Sequence, residues 1–127
     1  MSELTSKNKN RNQDLMRRVY EEMWNAGNPA LAVEIFAQPE GVERFVSQFL
    51  PAFPDLKHTV EEMIVDGERV SVRFSAHGTH TGAWMDFAPT GKSIRYTGVT
   101  WARIADGKII EHETWWDKAG LMEQIGD

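Results

Sequence analysis

The chain has no cysteine, so disulfide frameworks, thiolate nucleophiles and cysteine zinc centres are excluded together. No apolar run approaches the ~20 residues that a membrane-spanning helix needs. Basic residues are the minority: 14 Lys and Arg stand against 19 Asp and Glu, a net charge of −5. An electropositive surface for nucleic acid is therefore not expected. Met1 to Asn10 are polar and lack the apolar stretch of a signal peptide, which points to a cytoplasmic protein. What is present is an ordinary globular balance of 127 residues, 41% hydrophobic and 26% charged. A chain of that size buries roughly 65–70% of its unfolded surface, enough for one core. We expect one domain over residues 1–127, with the polar residues 1–13 fraying.

From Asp14 onward the pattern becomes periodic. Leu15, Met16, Val19, Tyr20, Met23 and Trp24 lay one apolar stripe along a helix, which Gly27 ends as a left-handed residue. Asn28-Pro29 predicts the N-cap and first turn of a short helix reaching about Phe36. Val42, Phe45, Val46, Phe49 and Leu50 predict a third, stopped by Pro51. Leu56 onward reads as strand. His58 to Val65 is blurred by Glu61-Glu62, and Asp66-Gly67 signals a hairpin. Val70, Val72, Phe74 and Ala76 then alternate with polar residues. After a loop over residues 82–92, strands follow at 93–104 and 109–116, and residues 120–125 form a short tail. Helices followed by four antiparallel strands predict an α+β fold, with N-terminal helices packed on a curved sheet that forms a cone.

The last hairpin carries the densest chemistry. Strand parity puts Glu111, Glu113, Trp115 and Asp117 on one face, and His112, Thr114 and Trp116 on the other. A two-residue Asp106-Gly107 turn would bring Tyr96, Gly98 and Thr100 to the Asp117 face. A three-residue turn with a Gly107 bulge would bring Arg95, Thr97, Val99, Trp101 and Arg103 instead. The bulged form is favoured, because Val99, Trp101 and Trp115 with a few polar groups make a plausible pocket lining. A carboxylate beside indoles in a partly dry pocket has its pKa raised and can act as a general acid or base. The alternative for Asp117 is a structural one: capping the C-terminal tail, or pairing with Lys118 or Arg95. His77 and His80 face opposite ways on a strand, which argues against a shared metal. The five tryptophans fill the core, line an aromatic ligand wall, or pack between copies; for Trp116 the last is favoured.

Several ordered segments resemble the SnoaL-like polyketide cyclases, a branch of the nuclear transport factor 2-like, cystatin-like superfamily of cone-shaped folds. They are residues 15–28, Ala52-Phe53-Pro54-Asp55-Leu56, Gly78-Thr79-His80-Thr81-Gly82, Pro89-Thr90-Gly91-Lys92, 104–112 and 116–126. The resemblance implies a homodimer or larger homo-oligomer joined through sheets, a small hydrophobic or aromatic ligand, and no cofactor or metal. It also implies an aspartate near the end of the last strand as general acid/base of an intramolecular aldol ring closure. In the Trp-Asp-x-x-Gly-Leu pattern that aspartate falls on Asp117. Tyr20, His80, Thr97 and Arg103 are the expected polar partners, with Val99, Trp101 and Trp115 as apolar lining. Other readings are an epoxide hydrolase-like enzyme using Asp117 and Glu113, and a non-catalytic binding or dimerisation module. One departure stands out: Phe36 to Gly41 runs almost directly into the third helix, which predicts a more open pocket mouth.

Overall fold

The computed structural model describes the backbone of residues 2–126, and the side chains of residue 7 and residues 9–126. The helical layer comes first: α1 (Ser2–Arg18), a wider turn (Val19–Trp24), α2 (Ala32–Ile35) and α3 (Glu40–Phe49). Strands β1 (Lys57–Asp66), β2 (Arg69–Thr79), β3 (Ser93–Ala105) and β4 (Lys108–Trp116) follow, and α4 (Lys118–Gly126) closes the chain. The strands form one antiparallel sheet in the order β1-β2-β3-β4. Its inner face meets the helices in one apolar core that includes Met16, Met23, Phe49, Phe53, Val70, Val72 and Leu121.

The first helix begins at Ser2, well before the apolar stripe, where fraying was expected. Its polar residues need no core partner, and Asn12 ties it to the sheet by donating from Nδ2 to the Gly67 carbonyl at 3.2 Å. The stripe itself ends in π-helical geometry, with the Asn25 N–H reaching the Tyr20 carbonyl at 2.9 Å. Val19, Tyr20 and Met23 are buried within this segment. The expected C-terminal tail is instead α4, which buries Leu121 and Ile125. Gln124 of α4 grips the backbone of Arg95 in both directions, at 2.8 and 2.7 Å.

Two bulges shape the sheet. Glu61 is the extra residue in β1, between the pairs Val60–Phe74 and Glu62–Arg73. It explains the blurred alternation: His58 and Val60 point inward before it, Met63 and Val65 after it. The second lies in β4, where Ile104 pairs with Ile109 but Arg103 pairs with Glu111. Ile110 is left over. The turn before it has two residues, with Ala105 opposite Lys108 and left-handed Asp106 and Gly107 (φ 53° and 76°). The expected three-residue turn is therefore corrected, while the strand register that it was invoked to produce is present. Val99 faces Trp115 and Trp101 faces Glu113, because the bulge sits three residues further on.

Candidate active site

The face that those residues share is the outer one, away from the helices. Val99 is 41% exposed, Trp115 is 58% exposed, and Thr97 and Glu113 are exposed beside them. Trp101 is half-buried on the same side, and Arg103 is held there by ion pairs to Glu111 and to Glu68, the latter at 3.6 Å. Val99, Trp101, Trp115, Thr97 and Arg103 are thus not brought together around a cavity, contrary to the sequence expectation. The reason is the sheet's sidedness: the helices cover the opposite parity.

Asp117 is also placed elsewhere. It stands at the start of α4, where its Oδ1 accepts the Gly120 N–H at 2.9 Å. This is an N-cap, the structural alternative entertained from sequence. A Cβ on Gly120 would lie 2.2 Å from the Asp117 carboxylate, so any larger residue there would make the carboxylate shift from its capping position. His80 is fully buried in the core; its Nδ1 contacts Thr90 Oγ1 at 2.9 Å, and its ring lies 5.3 Å from Phe53. Of the expected site residues, Tyr20 lines the cavity between helices and sheet, as does Glu113 of the epoxide hydrolase-like reading.

That cavity, of about 560 Å³, lies between the helices and the inner face of the sheet. Its apolar walls come from Met16, Val19 and Met23 of the first helix, Val46 and Phe49 of α3, and Phe74 of β2. Trp24 and Trp116 add two flat indole surfaces. Trp116, expected between copies, packs here, 5.0 Å from Tyr96 and 5.8 Å from Phe49. The shortened connection forms part of the wall: Phe36, Gln38, Glu40 and Gly41 line the cavity, and the Ala37 N–H bonds the Ile109 carbonyl at 2.9 Å. The opening lies between this connection and β4, the edge strand, where His112, Glu113 and Thr114 are exposed.

The polar groups are few and ordered. Tyr20 donates its hydroxyl to Thr100 Oγ1 at 2.7 Å, and Thr100 Oγ1 lies 2.8 Å from Thr114 Oγ1. Burial pushes the Tyr20 phenol up to about 12, the Thr100 bond opposing this in part, so it stays protonated. Deeper in, His58 Nε2 and the Tyr96 hydroxyl share a 3.1 Å hydrogen bond. Asn25 clamps the His58 backbone, accepting its N–H at 2.7 Å and donating to its carbonyl at 2.8 Å. Burial pushes the His58 imidazole down to about 3, so it is neutral. Burial also raises the Tyr96 phenol, with Tyr20 adding to the effect. At the mouth, the His112 ring meets Phe36 edge-on at 4.9 Å, and its pKa is lowered by partial burial.

Sequence reasoning did not assign Thr114, His58 or His112 to the cavity, and it named Tyr96 and Thr100 only as the lining that a two-residue turn would bring to the Asp117 face. Their shared inward parity was a usable signal once the Ile110 bulge is known.

A curved sheet roofed by helices over an apolar cavity with sparse polar groups defines an α+β cone of the kind that can hold a small molecule. A profile of the SnoaL-like polyketide cyclases matches residues 14–125. The chain belongs to that family. It is 30% identical over 102 residues to the nogalonic acid methyl ester cyclase of Streptomyces nogalater, covering 79% of this chain and 76% of that one. It is also 30% identical over 90 residues to the aklanonic acid methyl ester cyclase DnrD of Streptomyces peucetius, covering 70% of this chain but 62% of the relative's length. A SnoaL-like protein from Jannaschia sp. CCS1 has the same fold, with a TM-score of 0.84 over 93% of each chain at 24% identity.

Proposed function

We propose that this protein is an acid–base enzyme that closes a ring in a polycyclic or aromatic carbonyl compound bound in the cavity. The observation that carries this is the about 560 Å³ apolar cavity with His112 at its mouth. Two relatives are named as cyclases of aklanonic and nogalonic acid methyl esters, which suggests the substrate class. His112, neutral near pH 7 because partial burial disfavours its cation, is the group best suited to take the acidic proton beside the carbonyl. The resulting carbanion attacks a second carbonyl of the same molecule, one carbon–carbon bond forms, and the proton returns to the alkoxide. Atoms and charge balance without a co-substrate. Asp117 is a less suitable base, since its carboxylate is engaged at the start of α4.

The test is turnover of aklanonic and nogalonic acid methyl esters, followed by chromatography. We expect His112→Gln to abolish conversion while Trp24 and Trp116 still report saturable binding. Asp117→Asn, which preserves an N-cap, should convert normally. Conversion by His112→Gln, or its loss in Asp117→Asn, would overturn the assignment. The cap also favours a second reading, a non-catalytic carrier of the same ligand class, in which wild type binds both esters and converts neither.

A further inference from the structure

The hydroxyl of Tyr20 on the first helix and those of Thr100 and Thr114 on the sheet form a chain whose direction the surroundings determine. Tyr20 is buried, and among the described residues its hydroxyl has Thr100 Oγ1 as hydrogen-bond partner, at 2.7 Å. A buried phenol that stays protonated donates its proton there. Thr100 is itself buried, and having accepted from Tyr20 it has Thr114 Oγ1, at 2.8 Å, as the acceptor for its own proton. Thr114 lies directly opposite Thr100 across β3 and β4, but unlike Thr100 it is exposed, on the cavity wall beside the mouth. With Thr100 as the donor of this pair, the Thr114 oxygen accepts and its own proton is left to point toward a ligand. Hydrogen-bonded hydroxyls polarise one another along a chain, so the terminal O–H is a stronger donor than a lone threonine.

We infer that Thr114 is the donor that receives a ligand's carbonyl oxygen in this cavity, with Tyr20 and Thr100 as positioning residues behind it. This rests on the proposal that the cavity holds a polycyclic carbonyl compound, and it names the group that reads the carbonyl. An enolate oxygen formed at the same place would be held by the same O–H, more strongly as charge accumulates. The Ile110 bulge is what makes this possible. Without it Thr114 would pair with Val99 on the outer face, and Glu113 would take its place opposite Thr100.

The test compares 9-fluorenone with fluorene, a pair of similar shape that differs by the carbonyl. Binding is read from Trp fluorescence, and the bound carbonyl from its infrared stretch. Wild type should prefer fluorenone by roughly 5-fold, the ordinary worth of one hydrogen bond, with the bound stretch shifted to lower frequency. Thr114→Val should lose both the preference and the shift, and Thr114→Ser should keep both. Thr100→Val leaves the Thr114 hydroxyl but removes the chain, so the shift should shrink, which a purely structural role would not produce. Equal binding of the two ligands by wild type, with an unshifted stretch, overturns the Thr114 assignment and leaves the cavity reading standing. Binding of neither ligand overturns both.

Discussion

At the scale of single residues, His58 and Asp117 show how position rather than type decides a role. His58 is 5% exposed, and its Nδ1 has no hydrogen-bond partner among the described groups. Its folded pKa, about 3, lies below the ordinary 6.5. Between those values the unfolded chain holds a proton that the folded chain does not, so stability is full above pH 6.5 and falls as pH drops toward 3. The slope from this one group is about 1.4 kcal/mol per pH unit. Urea unfolding from pH 6.5 down to pH 4 should therefore show a slope one proton shallower in His58→Gln than in wild type. Parallel slopes would mean that His58 is not held neutral. Asp117, by contrast, was legible as an important position, but its motif supports two explanations, a base or a cap. The structure supplies the cap contact, Asp117 Oδ1 accepting the Gly120 N–H, and the turnover of Asp117→Asn tests the base.

At the scale of elements, the lesson lies in β4. The alternation of Glu111, Glu113 and Trp115 against His112, Thr114 and Trp116 was legible, whereas the register against β3 was left between two alternatives and the favoured one was reached through a three-residue turn that the structure replaces by the Ile110 bulge. The inward side was not legible, because both sides carry tryptophan and polar residues. A bulge residue has no strong sequence mark, and Ile110 looks like any strand residue. Its consequence is large. Deleting Ile110 would turn Glu111, Glu113 and Trp115 inward and Thr114 and Trp116 outward. We expect that deletion to cost at least ~2 kcal/mol, through carboxylates forced against apolar walls. Tm should fall by roughly 10 °C, with fluorenone binding lost. Ile110→Thr, which keeps the residue count at a solvent-exposed position, should melt close to wild type. A deletion variant with wild-type melting and binding would show that register does not depend on the bulge.

At the scale of the whole molecule, the sheet has one covered face and one bare one. No helix among the described residues is long and apolar enough to cross a membrane. The bare face presents Val99 and Trp115 side by side, with Trp101 half-buried two residues further along β3. We propose that a second copy of the chain covers it, since flat apolar patches of this kind are usually interfaces. Light scattering should then give a dimer for wild type. Trp115→Asp should give a monomer that still binds fluorenone, because the cavity lies on the other side of the sheet. A monomeric wild type would remove the proposal. Hydrophobic periodicity, which is local, determined the order of helices and four strands and the α+β class, together with Tyr20 as an inward residue of the first helix, while the family was legible only in the ordered motif segments. The tertiary structure alone decided which face of β3 and β4 the helices cover, and with it the cavity's polar groups. The reason is that strand parity defines two faces but not which one is buried. That choice depends on how distant helices dock and on a one-residue bulge that local patterning does not mark.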